Sequence, residues 1–160
     1  MPEKDDNGLV VLLVEDEDVL RRTYRRALEG EGYSVIEASD GNQALEYFLD
    51  PLEHFKGSQP HLILTDINMP GMSGDIFLKN LRDKGYRGIP TLIMSGFPNQ
   101  QEFSDALNLA RQQYSQSQIE SLQLELNMAF DKIVGLVKPF SLRNLRERVV
   151  AINSVVFNYE

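Results

Sequence analysis

Five short apolar runs, each separated from the next by a stretch with helical periodicity, limit what this chain can fold into. They are LVVLLV from Leu9 to Val14, SVIEA from Ser34 to Ala38, HLILTD from His61 to Asp66, PTLIMS from Pro90 to Ser95 and IVGLVK from Ile133 to Lys138. Each has the length of a strand, and the runs at Leu9, Leu62 and Thr91 are apolar at nearly every position. That pattern belongs to parallel strands covered on both faces, with the intervening segments serving as crossover helices. The expectation is an α/β protein with a doubly wound, five-stranded parallel sheet. At 160 residues and 42% hydrophobic content the chain suits one domain over 9–160, behind a polar tail over 1–8 that is expected to be disordered.

The predicted helices follow from spacing. The first runs from about Asp18 to Glu29 with Leu20, Tyr24, Ala27 and Leu28 inward, and EGEGY breaks it; DGNQALEYFL is a second and GDIFLKNLRDKG a third. The last, SLRNLRERVVAI, opens on Ser141 as N-cap and aligns Leu142, Leu145, Val149 and Ile152. The stretch from Asp50 to Pro60 is a polar connecting loop with a proline near each end. The segment between Ser95 and Lys138 exceeds what one crossover needs. In it, Asn99 with Glu102 and Ser117 with Glu120 satisfy the capping-box pattern, which predicts two helices. Phe103, Leu107, Ala110 and Tyr114 form the stripe of one; Ile119, Leu122, Leu126, Ala129 and Ile133 form that of the other.

Composition excludes several functions. With 24 acidic against 16 basic residues the net charge is -8, which offers no general attraction for phosphate backbones and argues against direct nucleic-acid binding. The absence of cysteine excludes disulfides, thiolate catalysis and cysteine-ligated zinc. No apolar stretch is long enough to span a bilayer, and the acidic N-terminus is unlike a signal peptide, so the expected location is the cytoplasm.

In an open parallel sheet, ligands bind beyond the carboxyl ends of the strands. The residues expected there are Glu15 and Asp16 after the first strand, Asp66 at the end of the third, Ser95 at the end of the fourth and Lys138 at the end of the fifth. Three crowded carboxylates repel one another unless a cation joins them, and an all-oxygen donor set favours Mg²⁺ over zinc. Because Mg²⁺ commonly takes one or two carboxylates and then phosphate oxygens, such a cluster suits a phosphoryl group, with Lys138 pairing its charge. His54 and His61 have no neighbours at metal-ligand spacing and are read as structural.

The motifs LLVEDED, LTDINMPGMSG, LIMSG and LVKPF, in this order, resemble those of the receiver domain of two-component response regulators, from about Leu9 to Asn153. The resemblance implies a flavodoxin-like sheet of order 2-1-3-4-5 with a helical insertion at approximately 99–131 between strands 4 and 5. It implies that Asp66 accepts a phosphoryl group from a phosphohistidine on a histidine kinase or histidine phosphotransfer protein. Asp16, Asp66 and the backbone carbonyl of Asn68 would ligate Mg²⁺, with Glu15 holding a metal-bound water, while Ser95 and Lys138 would each hold a phosphoryl oxygen. The loop through Met69, Pro70, Gly71 and Gly74 would leave Asp66 open.

The chain departs from the family in two places. Gly135 stands where receivers carry the aromatic residue that swings inward on activation, and the segment after Ser95 is longer than usual. A helical hairpin there would either pack on its own domain alone or carry an output or homodimer surface, with an aromatic such as Phe103 or Phe130 filling the space beside Gly135. Phe97 is expected to exclude water from the acyl phosphate and slow its loss. The run RRTYRR from Arg21 to Arg26 supports two readings, a docking surface for an acidic kinase partner or an ion-paired solvent face built on Glu17–Arg21, Asp18–Arg22 and Arg25–Glu29. A pseudo-receiver acting only as a binding module is the alternative function. A haloacid dehalogenase-like phosphatase is disfavoured, because the second Asp that class needs is Asn68 here. The chain ends about where a receiver ends, so no attached effector is expected; both a stand-alone regulator and the receiver of a hybrid kinase fit.

Overall fold

The computed structural model describes residues 8–57 and 59–157. The elements run β1 (Val10–Val14), α1 (Asp18–Gly30), β2 (Ser34–Ala38), α2 (Gly41–Tyr47), α3 (Pro51–Phe55), β3 (Leu62–Asp66), α4 (Gly74–Asp83) and β4 (Thr91–Ser95). They continue with α5 (Gln101–Arg111), α6 (Gln116–Leu126), α7 (Phe130–Val134), β5 (Gly135–Val137) and α8 (Leu142–Phe157). All strand pairs are parallel, and the sheet order is β2-β1-β3-β4-β5. This is the doubly wound fold and strand order expected from the sequence. The tail over 1–8 lies outside the described residues except for Gly8.

Alternation along the strands divides the core in two. Val11, Leu13, Leu62, Leu64, Leu92 and Met94 face a cluster completed by α1, α6, α7 and α8, whereas Val10, Leu12, Val14, Ile63 and Ile93 face one completed by α2, α3, α4 and α5. The chain between β4 and β5 therefore begins on one face of the sheet and ends on the other. Tyr114 explains how it passes. Strand β5 is short and pairs with β4 only from Ile93 onward, so Thr91 has no strand partner on that side. The buried Tyr114 hydroxyl fills the gap, accepting from Thr91 N and donating to Thr91 O, both at 3.1 Å. Tyr114→Phe strands two buried backbone groups and is expected to cost about 1–3 kcal/mol in urea unfolding; a loss well under that range would mean the edge is closed in another way.

Several local expectations need correction. The stretch after Asp50 is not only loop: Pro51 opens α3, where a missing N–H costs nothing, and the helix buries Phe55 with its ring 4.9 Å from that of Phe48. The inserted segment forms three helices instead of two. Its capping box is Ser115 with Gln118, two positions before the expected Ser117 and Glu120, and α5 starts after Gln100 with no side-chain cap, so Asn99 and Glu102 form no box. Asn127, in the left-handed region at φ 53°, ends α6; the second stripe is broken there and Ala129 is exposed. Ile133 and Val134 belong to α7, so β5 begins only at Gly135. Ser141 does cap the last helix, accepting from Asn144 N at 3.1 Å.

The arginine run of α1 is partly ion-paired. Arg21 meets Asp18 at 2.7 Å and Glu37 at 3.5 Å, and Arg25 meets Glu37 at 2.9 Å and Glu29 at 3.4 Å. The expected Glu17–Arg21 and Asp18–Arg22 pairs give way to these, because Glu37 at the edge strand β2 reaches both inner arginines. Arg22 and Arg26 remain exposed.

His61, at the foot of β3, accepts the Val10 N–H on Nδ1 at 3.0 Å, and burial lowers its pKa from the ordinary 6.5. The folded state thus prefers neutral imidazole. The associated stability is fully present above pH 6.5 and is lost as pH falls through the folded-state value. His61→Leu is expected to flatten the fall in urea midpoint between pH 7.5 and 5.5 relative to the unaltered protein; equal slopes would contradict this.

Candidate functional site

Each strand of the central sheet delivers its last residue to one edge. Leu64, Thr65 and Asp66 pair with Leu92, Ile93 and Met94, which brings Asp66 beside the end of β4; Ser95 pairs with Val137, and Lys138 N donates to Ser95 O at 2.8 Å. Glu15 follows β1 directly, its N–H donating to Ala38 O at 3.1 Å. Glu15 and Ser95 are fully buried, Asp66 is nearly so, and Asp16 is half-buried.

Lys138 organises this edge. Its Nζ lies 2.9 Å from Glu15 Oε2 and 3.0 Å from Asp66 Oδ2, donating to both. Carboxylate oxygens of Glu15, Asp16 and Asp66 lie within 4.8 Å of one another. Burial pushes the Glu15 carboxyl up to about 7, with the Asp66 charge adding to the rise and the Lys138 contact opposing it. For Lys138, burial alone pulls the ammonium down, but the Glu15 hydrogen bond and the Asp66 charge overrule it and the result is about 12. Among the described residues, three carboxyl groups share one ammonium at this edge, an arrangement that a further cation would balance.

The loop after Asp66 is closed by Gly74, whose N–H donates to Ile67 O at 2.8 Å. A Cβ there would collide with the Asp66 carbonyl oxygen, so only glycine lets the loop fold back beneath the carboxylate. Gly71, at φ 78°, makes the preceding turn. The Lys138–Pro139 peptide is cis.

The structure thus places Glu15, Asp16, Asp66, Ser95 and Lys138 at a single edge. It also holds features that spacing did not suggest. Ser95 Oγ accepts from Phe97 N at 2.9 Å and donates to Asn68 Oδ1 at 3.1 Å, and Asn68 Nδ2 donates to Gln100 Oε1 at 3.1 Å. The family resemblance implies a role for Asn68 through its backbone carbonyl only. Its side chain meets Gln100 across two separate loops, a contact with no periodic signature. Arg21 Nη1 also supports the site, donating to Glu15 O at 2.8 Å. Phe97, the water shield expected from the sequence, is 57% exposed. Beside Gly135, Phe103 Cζ sits 2.9 Å from where a Cβ would lie, and Phe103 fills the space that the sequence reading left to either of two aromatics.

The sequence profile of the response regulator receiver domain matches residues 11–125. The chain belongs to this family. The matched stretch stops within α6, so the arrival of Lys138 at the receiver's acidic edge is seen in the structure. Over 139 residues the receiver is 40% identical to a sensor kinase CckA of Brucella abortus, an alignment covering 87% of this chain and 12% of that protein. It is 30% identical over 143 residues to response regulator RR06 of Streptococcus pneumoniae, covering 89% of this chain and 52% of that one. Among solved structures it resembles the receiver domain of a hybrid histidine kinase CckA, with TM-score 0.58 and 26% identity over 89% of this chain and 97% of that one. It also resembles the Vibrio cholerae chemotaxis protein CheY4, with TM-score 0.63 and 25% identity over 90% and 98%. Among the described residues no helix is long and apolar enough to cross a membrane.

Proposed function

We propose that this receiver accepts a phosphoryl group on Asp66 from a phosphohistidine of a histidine kinase or histidine phosphotransfer protein, in the cytoplasm, and thereby switches a protein-binding surface. The observation that carries the reading is the Lys138 ammonium held between Glu15 Oε2 and Asp66 Oδ2 at 2.9 and 3.0 Å. An amine so placed offsets the charge that builds when a phosphoryl group approaches an anionic carboxylate. In the reaction an Asp66 carboxylate oxygen forms a bond to phosphorus, the phosphorus–nitrogen bond breaks, and its electron pair leaves on the imidazole. Ser95, buried at the next strand end, would donate to a phosphoryl oxygen.

The three carboxyl groups sharing one ammonium and the all-oxygen donor set fit Mg²⁺. Asp16, Asp66 and the carbonyl of Asn68 would hold it, with Glu15 holding a water. Bound there, Mg²⁺ would supply the remaining charge neutralisation for the incoming phosphoryl group.

Treatment with acetyl phosphate and Mg²⁺, followed by intact mass, tests the reading. One added phosphoryl group is expected, with none when the metal is chelated beforehand and none in Asp66→Asn. An unchanged mass would instead favour a pseudo-receiver that only binds.

The helices between β4 and β5 carry the output or homodimer surface in this reading, since α6 exposes Leu124 and the adjoining α8 exposes Val150. Deleting the insertion cannot test this, because Tyr114, Phe130 and Ile133 are core residues. Leu124→Glu is expected to reduce phosphorylation-dependent self-association in sedimentation; self-association of unchanged strength would move that surface elsewhere.

A further inference from the structure

The buried Ser95 hydroxyl has one proton, and the structure commits it to Asn68 Oδ1 at 3.1 Å while its lone pair takes the Phe97 N–H at 2.9 Å. Asn68 presents its oxygen to Ser95 because its Nδ2 donates to Gln100 Oε1 at 3.1 Å. Flipping the Asn68 amide would still leave a donor for Ser95 Oγ to accept, but it would set the Asn68 oxygen against the Gln100 oxygen, so it is the Gln100 contact that favours the orientation in which Asn68 accepts the Ser95 proton. Gln100 is the N-cap residue of the inserted helix α5.

We propose that Gln100 is a positioning residue that, through the Asn68 amide, keeps the Ser95 proton turned away from Asp66 until Asp66 is phosphorylated. The proposal rests on Asp66 being the phosphoacceptor. To donate to a phosphoryl oxygen, Ser95 must give up Asn68, and Asn68 then no longer holds Gln100 in a fixed orientation. Occupancy of Asp66 is thereby passed to the N-cap of α5 without an aromatic switch at position 135. By the same balance, a bond made only in the resting state opposes phosphorylation.

Gln100→Met keeps the length of the side chain and removes its acceptor. It is expected to raise the rate of phosphorylation by acetyl phosphate and Mg²⁺ about two- to tenfold, the range set by one exposed hydrogen bond. In a Ser95→Ala background the same substitution should change nothing, because no proton remains to be held; a merely structural role for Gln100 would act equally in both backgrounds. If the unaltered protein takes up no phosphoryl group, the functional reading fails and the relay falls with it. If it is phosphorylated and Gln100→Met matches its rate, or accelerates both backgrounds alike, the relay alone is overturned.

Discussion

Phe103→Ala is expected to lower the free energy of unfolding by about 3–5 kcal/mol, the cost of emptying a well-packed aromatic site. Phe103 is buried among α4, α5 and the sheet, and its ring tip occupies the space beside Gly135 that a side chain at that position would need. The reciprocal change meets the same constraint from the other side. A Cβ on Gly135 would lie 2.8 Å from the Asp131 carbonyl oxygen and 3.0 Å from Leu107 Cδ2 as well as 2.9 Å from Phe103 Cζ, so Gly135→Ala is expected to cost about 1–3 kcal/mol. The aromatic tip can yield but the backbone oxygen cannot. The double substitution should therefore cost less than the sum of the two, by about 0.5–3 kcal/mol of coupling in urea unfolding. Additive costs, or a Phe103→Ala loss under about 1 kcal/mol, would mean that the insertion rests on the domain without being part of its core.

Lys138→Met is expected to slow phosphorylation of Asp66 by about a hundredfold at saturating Mg²⁺, the loss typical when one preorganised charge partner is removed. Methionine retains the apolar stem but not the ammonium that touches Glu15 and Asp66. Lys138→Arg should not restore the rate, because a planar fork has a different reach and geometry from a point charge held between two carboxylates. The time course of acetyl phosphate uptake by mass distinguishes the outcomes. A Lys138→Met rate within about threefold of the unaltered protein would show that the ammonium is a structural tie and not part of the chemistry.

The central strands were legible because parallel strands buried on both faces leave continuous apolar runs, and their ends led directly to Glu15, Asp66, Ser95 and Lys138. The start of β5 was not. Ile133 and Val134 are β-branched and apolar, which suits a strand, yet they complete the single helical turn of α7; a short apolar run does not distinguish the two. The caps show a related ambiguity. Ser115 with Gln118 and Ser117 with Glu120 both satisfy the capping pattern, and Ser115 prevails with both reciprocal bonds made. Tyr114 lies inward as its stripe predicts, but matching its hydroxyl to Thr91 requires knowing that β5 is too short to pair there. The Asn68–Gln100 contact joins two loops whose approach depends on the whole sheet, so no local pattern announces it.

The central claim is that Asp66 is the reacting side chain at this edge, with Glu15 and Asp16 serving the charge around it. Reducing the acetyl phosphate-treated protein with borohydride and mapping the peptides reads this residue by residue, because an acyl phosphate is converted to an alcohol where it formed. The account predicts conversion at Asp66 alone, dependent on Mg²⁺. Conversion at Glu15 or Asp16, or none at any of the three, would contradict it.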